Sequence, residues 1–265
     1  MCYSISQSKR RAYKSALKEN APQEEIDRLY EEWQKGQEDD SHEDLDSPMA
    51  YLNGFEHPKL FTLIKDDTLH ATRFTWGFIP EWVKNKHQAF DIRNKTLNAR
   101  GETIFDRASF RSSAKDKRCL IFVNGFYEYY HFRGKKYPHF IRHADDQQAL
   151  VFGGLWSEWV DHNTGEIFKS ATIVTTESNK LLRRIHNNPK VKESRMPLIL
   201  EPTDFDQWLT ATSKKDVQAL IRPSKNGMLE AYTVRRLIGK NGIGDSKGST
   251  KGHLYPELVE QGVLF

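Results

Sequence analysis

Two pairs of long runs, rich in β-branched and aromatic residues, constrain this chain more than any other feature. RCLIFVNGFYEYYHF (118–132) is followed, after RGKK, by YPHFIRH (137–143), and ALVFGGLWSEWV (149–160) is followed, after DHNTGE, by IFKSATIVTTE (167–177). Apolar runs flanking short glycine-containing turns are the pattern of β-hairpins. FTLI (61–64), HATRFTWGF (70–78, ended by Pro80), PLIL (197–200) and LEAYTVRRLI (229–238) add further strands, and CYSISQ (2–7) reads as a short one at the chain start. Within this strand-rich body, helical pattern is confined to short pieces at 178–186, TDFDQWL (203–209) and KKDVQALI (214–221). With no internal repeat and no dividing linker, the expectation is one α+β domain over residues 1–240. The segment from 239, GKNGIGDSKGSTKG, reads as a mobile glycine-rich start to a tail over 241–265, with HLYPELV (253–259) docking again.

Residues 22–46 stand apart. Pro22 suits a first helical turn, Glu24 and Glu25 complement the dipole, and Ile26, Leu29, Tyr30 and Trp33 form a stripe of helical period. Gly36 stops the helix at 22–35, and the acidic run 38–46 is expected to be a loop, the two forming a docked surface element. Residues 23–46 hold 11 acidic and 2 basic residues, so 38 basic against 25 acidic residues remain elsewhere, a net of +13. A body that basic suits a polyanionic partner such as nucleic acid, and equally a solvated basic surface.

Several classes are excluded. No apolar run approaches the ~18 residues of a membrane span, and the start MCYSISQSKRRAYK has no apolar signal core. The expectation is a cytoplasmic protein that does not engage membranes. Two cysteines cannot build a disulfide framework, and the ten histidines form no HExxH or paired Cys/His signature, so no metal is expected. With no GxGxxG and no P-loop, no nucleotide cofactor is expected either.

Cys2 offers distinctive chemistry. Removal of Met1 would leave an α-amine beside a thiol, and such a 1,2-aminothiol condenses with an aldehyde to an imine that the sulfur closes to a thiazolidine. The same residue could attack amides as an N-terminal nucleophile, or be placed there by accident. Four more segments bear on the choice: WGFIPEW (76–82), NARGET (98–103), NGFYEYY (124–130), and IH (185–186) followed by RMP (195–197).

Together with Met-Cys at the start, this ordered set resembles the SOS-response-associated peptidase (SRAP) family, from Cys2 to about Leu209. The resemblance implies a SRAP fold of mixed, antiparallel β-barrel-like sheets flanked by helices, with a basic groove for single-stranded DNA. It further implies an N-terminal Cys, exposed by autocatalytic removal of Met1, that captures the aldehyde of an abasic site as a covalent crosslink. On that pattern Cys2 is the nucleophile, Asn98 lies near its amine, and Glu128 and His186 handle protons. Arg100 and Arg195 fit phosphate contacts, for which guanidinium geometry is suited. The family usually begins Met-Cys-Gly-Arg, whereas Tyr3 and Ser4 follow Cys2 here, and NNPKVKES (187–194) separates His186 from RMP. An N-terminal-nucleophile amidohydrolase and a non-catalytic single-stranded DNA-binding protein are the alternatives.

Read without the resemblance, the same residues have plainer roles. Asn98 and Arg100 could cap a helix beginning near residue 98, Glu128 could face solvent from a strand, and His186 could complement a helix dipole. Phe78 is expected in the core, with Trp76 or Trp82 facing bases. Arg107 and Arg111 extend a phosphate track or are ordinary surface arginines. Cys119 is expected to be a small buried residue.

Overall fold

The computed structural model describes residues 2–7, 49–65, 67–146 and 148–259. The acidic helix and loop expected within 22–46 lie outside these residues. Thirteen strands are arranged in two sheets among the described residues, and the fold is mixed α/β.

The first sheet is antiparallel. It holds β1 (Ser4–Gln7), β2 (Met49–Asn53), β7 (Gly125–Phe132), β8 (Lys135–His143) and β13 (Leu229–Thr233), in the order β13-β8-β7-β1-β2. The second contains β3 (Lys59–Ile64), β4 (Asp67–Trp76), β6 (Arg118–Val123), β9 (Leu150–Val160) and β10 (Ile167–Glu177). The pairings β10–β4, β4–β3, β3–β6, β6–β9 and β9–β10 return to their start, so these five strands close a barrel. Closure removes the unpaired edges that an open sheet would expose. β5 (Asn98–Arg100), β11 (Arg195–Pro197) and β12 (Ile199–Leu200) attach to it, β5 parallel to β10.

Both expected hairpins are present. The β7–β8 turn is Arg133-Gly134, both at positive φ (47° and 75°), a combination suited to a tight two-residue turn. The run 118–132, however, is two strands in different sheets. After β6 the chain crosses at Asn124, whose N–H donates to the Ser6 carbonyl at 2.8 Å, and continues as β7 in the other sheet. Gly125 permits the crossing, because a Cβ there would run into the Ile141 carbonyl and the Phe140 ring.

Six helices form among the described residues: α1 (Lys86–Arg93), α2 (Ser113–Asp116), α3 (Lys180–Ile185), α4 (Phe205–Thr210), α5 (Lys214–Leu220) and α6 (Pro256–Val259), of which α3, α4 and α5 are the expected ones and α1, α2 and α6 were not anticipated. Asn179 caps α3 by accepting from the Leu182 N–H at 3.0 Å. None is long and apolar enough to cross a membrane. Over its described residues the segment after 239 is tied to the rest of the fold: Asp245 accepts from the Tyr51 N–H, Ser249 is buried, and the Tyr255 hydroxyl donates to the Val234 carbonyl at 2.9 Å. The HLYPELV end docks through α6, where Glu257 accepts from the Tyr137 hydroxyl.

The main core lies between the two sheets and takes side chains from both, Ile5, Phe126 and Ile141 from one and Ile121, Phe152 and Ile173 from the other. Trp76 belongs to this core and does not face bases. It is fully buried, its Nε1 donates to the Leu97 carbonyl at 2.8 Å, and Gly54 packs against its ring. Phe78 is buried edge-on against Phe110, and Cys119 is a buried free thiol.

Candidate active site

β1 sets the position of Cys2. It is paired on both sides, through Ile5 to Leu52 and to Phe126. The buried Gln7 side chain ties it across to the barrel, donating to the Phe122 carbonyl at 2.6 Å and accepting from the Phe61 N–H at 3.2 Å. The Cys2 side chain therefore enters the inter-sheet core, only 1% exposed, with Sγ 3.7 Å from the Ser4 carbonyl. Burial, and then the nearby Glu128 carboxylate, push its thiol from 9.0 up to about 12.

Two of the expected partners act on it directly, and a third stands behind the second. Asn98 opens β5 and donates from Nδ2 to the Cys2 carbonyl at 2.7 Å. Its other amide atom, Oδ1, is buried and has no hydrogen-bond partner. Glu128, on β7 four residues beyond the sheet crossing at Asn124, is mostly buried and acts on the Cys2 thiol. His186 follows the last turn of α3, where its backbone N–H closes onto the Leu182 carbonyl. Its ring turns inward, with Nδ1 3.5 Å from Glu128 Oε2 and 3.3 Å from the Arg195 carbonyl. A carbonyl can only accept, so this contact places the Nδ1 proton toward it. Glu128 and His186 are thus paired in the interior with Glu128 beside Cys2, rather than facing solvent.

Directly after His186, Asn187 fastens the start of the 187–194 loop to β7. The Asn187 side chain accepts from the His131 N–H at 2.7 Å and donates to the His131 carbonyl at 2.9 Å, filling a ladder position beyond the end of β1. Sequence reasoning passed over Asn187, and its place directly after His186 was the available signal. It also passed over His131, whose imidazole is pushed below its usual range by burial and Lys136, with Glu128 opposing.

The arginines divide. Arg100 ends β5 and stands at the N-cap position of the 3-10 turn Gly101–Thr103, but its side chain makes no capping bond; it is exposed and pairs with Glu193 at 3.2 Å. Arg195 is a correction to the expected phosphate contact, since its side chain is 4% exposed and already engaged. It donates to both Glu102 oxygens at 2.7 and 3.0 Å, to the Thr175 carbonyl at 2.9 Å and to Thr175 Oγ1 at 3.3 Å. Although burial alone would raise the Glu102 carboxyl, the bond from Arg195 holds it below the usual range. Trp82 is 49% exposed, and its Nε1 donates to the Ala108 carbonyl at 3.1 Å, which places it against the exposed loop carrying Arg107 and Arg111. Ser4, where the family pattern has an arginine, turns inward and donates to the Tyr51 hydroxyl at 3.2 Å.

A closed mixed barrel, packed against a second sheet that buries a cysteine at position 2 beside Asn, Glu and His, defines a specific class of protein. The chain belongs to the SOS response associated peptidase (SRAP) family, whose pattern matches residues 11–241. Among curated relatives it is 34% identical over 169 residues to the abasic site processing protein YoaM of Bacillus subtilis, covering 63% of this chain and 69% of that one. It is 32% identical over 207 residues to the abasic site processing protein YoqW of the same organism, covering 76% and 81%. A solved structure of a protein from Bacteroides thetaiotaomicron superposes with a TM-score of 0.77 at 28% identity, over 96% of this chain and all of that one.

Proposed function

We propose that this chain is an abasic-site processing protein that binds single-stranded DNA and, after removing its own Met1, joins Cys2 covalently to the lesion as a thiazolidine. The observation that carries the reading is the convergence of Asn98, Glu128 and the Glu128–His186 pair on Cys2. The abasic-site processing relatives supply the class of substrate.

The first step is hydrolysis of the Met1–Cys2 peptide bond. Water ends up on the methionine carboxylate and the α-amine of Cys2, with the Cys2 thiol as nucleophile and Glu128 as the group that takes and returns its proton. The second step begins on the sugar. A ring-closed abasic deoxyribose opens when its ring oxygen is protonated, a role suited to the imidazole of His186. The Cys2 amine then adds to the C1′ aldehyde, the carbinolamine loses water, and the imine forms. Sγ adds to the imine carbon and the thiol proton passes to nitrogen, so the overall change is aldehyde plus aminothiol giving thiazolidine and one water.

The burial of Cys2 sets the order of these events. Burial, and then the nearby Glu128 carboxylate, favour the protonated thiol. Capture therefore begins at the amine, and the sulfur acts second, on an imine. The partnerless Asn98 Oδ1 is placed to accept from that amine or from the carbinolamine hydroxyl.

The test is a denaturing gel of protein with single-stranded DNA, with and without one abasic site. A band that survives denaturation and requires the lesion is expected. Salt-sensitive binding alone would leave a non-catalytic DNA-binding protein, and amide turnover without a DNA adduct would indicate an amidohydrolase.

A further inference from the structure

Phe55 is a large apolar side chain left 53% exposed beside the reactive centre, and the turn that carries it is unusually well fixed. Residues Gly54–Glu56 form one 3-10 turn, capped by Asn53, whose Oδ1 accepts from the Phe55 N–H at 3.2 Å. Gly54 donates to the Tyr3 carbonyl at 2.8 Å and lies so close over the Trp76 ring that a Cβ would stand 3.2 Å from it. His57 closes the turn in the left-handed region, with Nδ1 2.7 Å from the Trp76 carbonyl and Nε2 3.0 Å from Asn94 Oδ1. The Phe55 ring stacks on Tyr3, with centroids 5.2 Å apart and planes inclined by 29°.

Tyr3 is the residue next to Cys2. Burial raises its phenol, and the charges of Glu128 and Cys2 act on it as well. The stack thus begins one residue from the reacting atoms and ends on a ring about half open to solvent. Folding does not account for that exposure, because apolar area left in water contributes nothing to stability. The rigid turn, by contrast, removes the ordering cost of presenting a flat face to a ligand.

We infer that Tyr3 and Phe55 form a stacking step for the nucleobase adjoining the abasic site. The inference rests on the proposed reaction at Cys2. A lesion sugar held at Cys2 brings its neighbouring base within one nucleotide spacing, and every base has a π-face, so the step is sequence-tolerant. Position 4 supplies no charge here, since Ser4 is turned inward. Stacking at Phe55 therefore adds affinity that does not depend on salt.

The test uses the full chain and the variants Phe55→Ala, Phe55→Leu and Phe55→Trp, with abasic oligonucleotides carrying 2-aminopurine on one side or the other of the lesion. The parent is expected to quench 2-aminopurine on one side, Phe55→Trp to preserve the quenching, and both Phe55→Ala and Phe55→Leu to lose it. Affinity and crosslinking rate on lesion DNA should fall about tenfold or more in Phe55→Ala, with an unchanged salt slope. Free 2-deoxyribose has no base to stack, so its reaction with Cys2 should be unaffected. Quenching and affinity equal to the parent's in Phe55→Ala would overturn the inference. Equal slowing with DNA and with 2-deoxyribose would overturn it too, by showing that Phe55 acts on Cys2 itself. If the parent gave no covalent product, the reaction at Cys2 would fail, while quenching and affinity would still decide the stacking step.

Discussion

Asn98 Nδ2 donates to the Cys2 carbonyl at 2.7 Å, while Asn98 Oδ1 lies buried with no partner. A buried acceptor left unpaired costs about 1–3 kcal/mol, comparable to or larger than what the single bond to Cys2 returns. The residue is therefore poorly explained by folding and well explained by a ligand that completes it. Asn98→Leu keeps the volume and removes both polar atoms. Its Tm should stay within about 3 °C of the parent's, while crosslinking to lesion DNA falls by about tenfold to a hundredfold. A large loss of Tm with proportionate loss of activity would make Asn98 a structural residue.

Arg100 is exposed and pairs with Glu193 from the loop that lengthens the path between His186 and RMP. A phosphate must compete with that carboxylate, and an exposed pair of this kind is worth only about 0.2–1 kcal/mol. Glu193→Gln should therefore raise affinity for single-stranded DNA by about two- to fivefold at low salt. Arg100→Ala should lower affinity for all sequences and reduce the salt slope by about one. Fluorescence anisotropy across a salt series reads both, and a Glu193→Gln gain that persists undiminished in Arg100→Ala would refute the competition.

Arg195 behaves differently. Its guanidinium is buried on Glu102 and Thr175 and links β11 to β10 and to the turn after β5. Arg195→Ala should lower stability by about 2–4 kcal/mol, since it strands the Thr175 carbonyl and frees Glu102. Chemical denaturation checks this; an unchanged midpoint with a reduced salt slope would return Arg195 to the phosphate track.

The difference between these two arginines shows what the sequence could and could not reveal. Both match family motifs, but exposure depends on which strands flank β10, and no local pattern records that. The hairpins were legible because side-chain alternation and turn residues are local properties. The change of sheet at Asn124 was not, because it rests on Gly125 fitting against Ile141 and Phe140, which are distant in sequence. Trp76 was misread for the same reason: its covering residues, Gly54 and Leu97, come from elsewhere in the chain. Cys2, Asn98, Glu128 and His186 were legible as a set only through the resemblance, since each alone had a plain structural role.

His139 predicts an acid sensitivity. It sits opposite Glu128 in the β7–β8 ladder, and burial lowers its imidazole from 6.5 to about 4. Between those values the unfolded chain binds a proton that the folded one does not, so stability rises with pH there. The contribution is fully present above 6.5 and is lost as pH falls through about 4, a change of about 3 kcal/mol. His139→Gln should flatten the stability profile across that window, measured by urea unfolding at several pH values. A parallel profile, merely displaced, would assign the acid sensitivity to other groups.

Mass spectrometry of the protein–DNA product tests the central claim most directly. The intact adduct should weigh the protein without Met1, plus the abasic oligonucleotide, less one water, and digestion should place the DNA remnant on the N-terminal peptide at Cys2. Cys2→Ala and Cys2→Ser should yield no such stable species. An adduct that retains Met1, or one that maps to a lysine, would contradict the aminothiol mechanism.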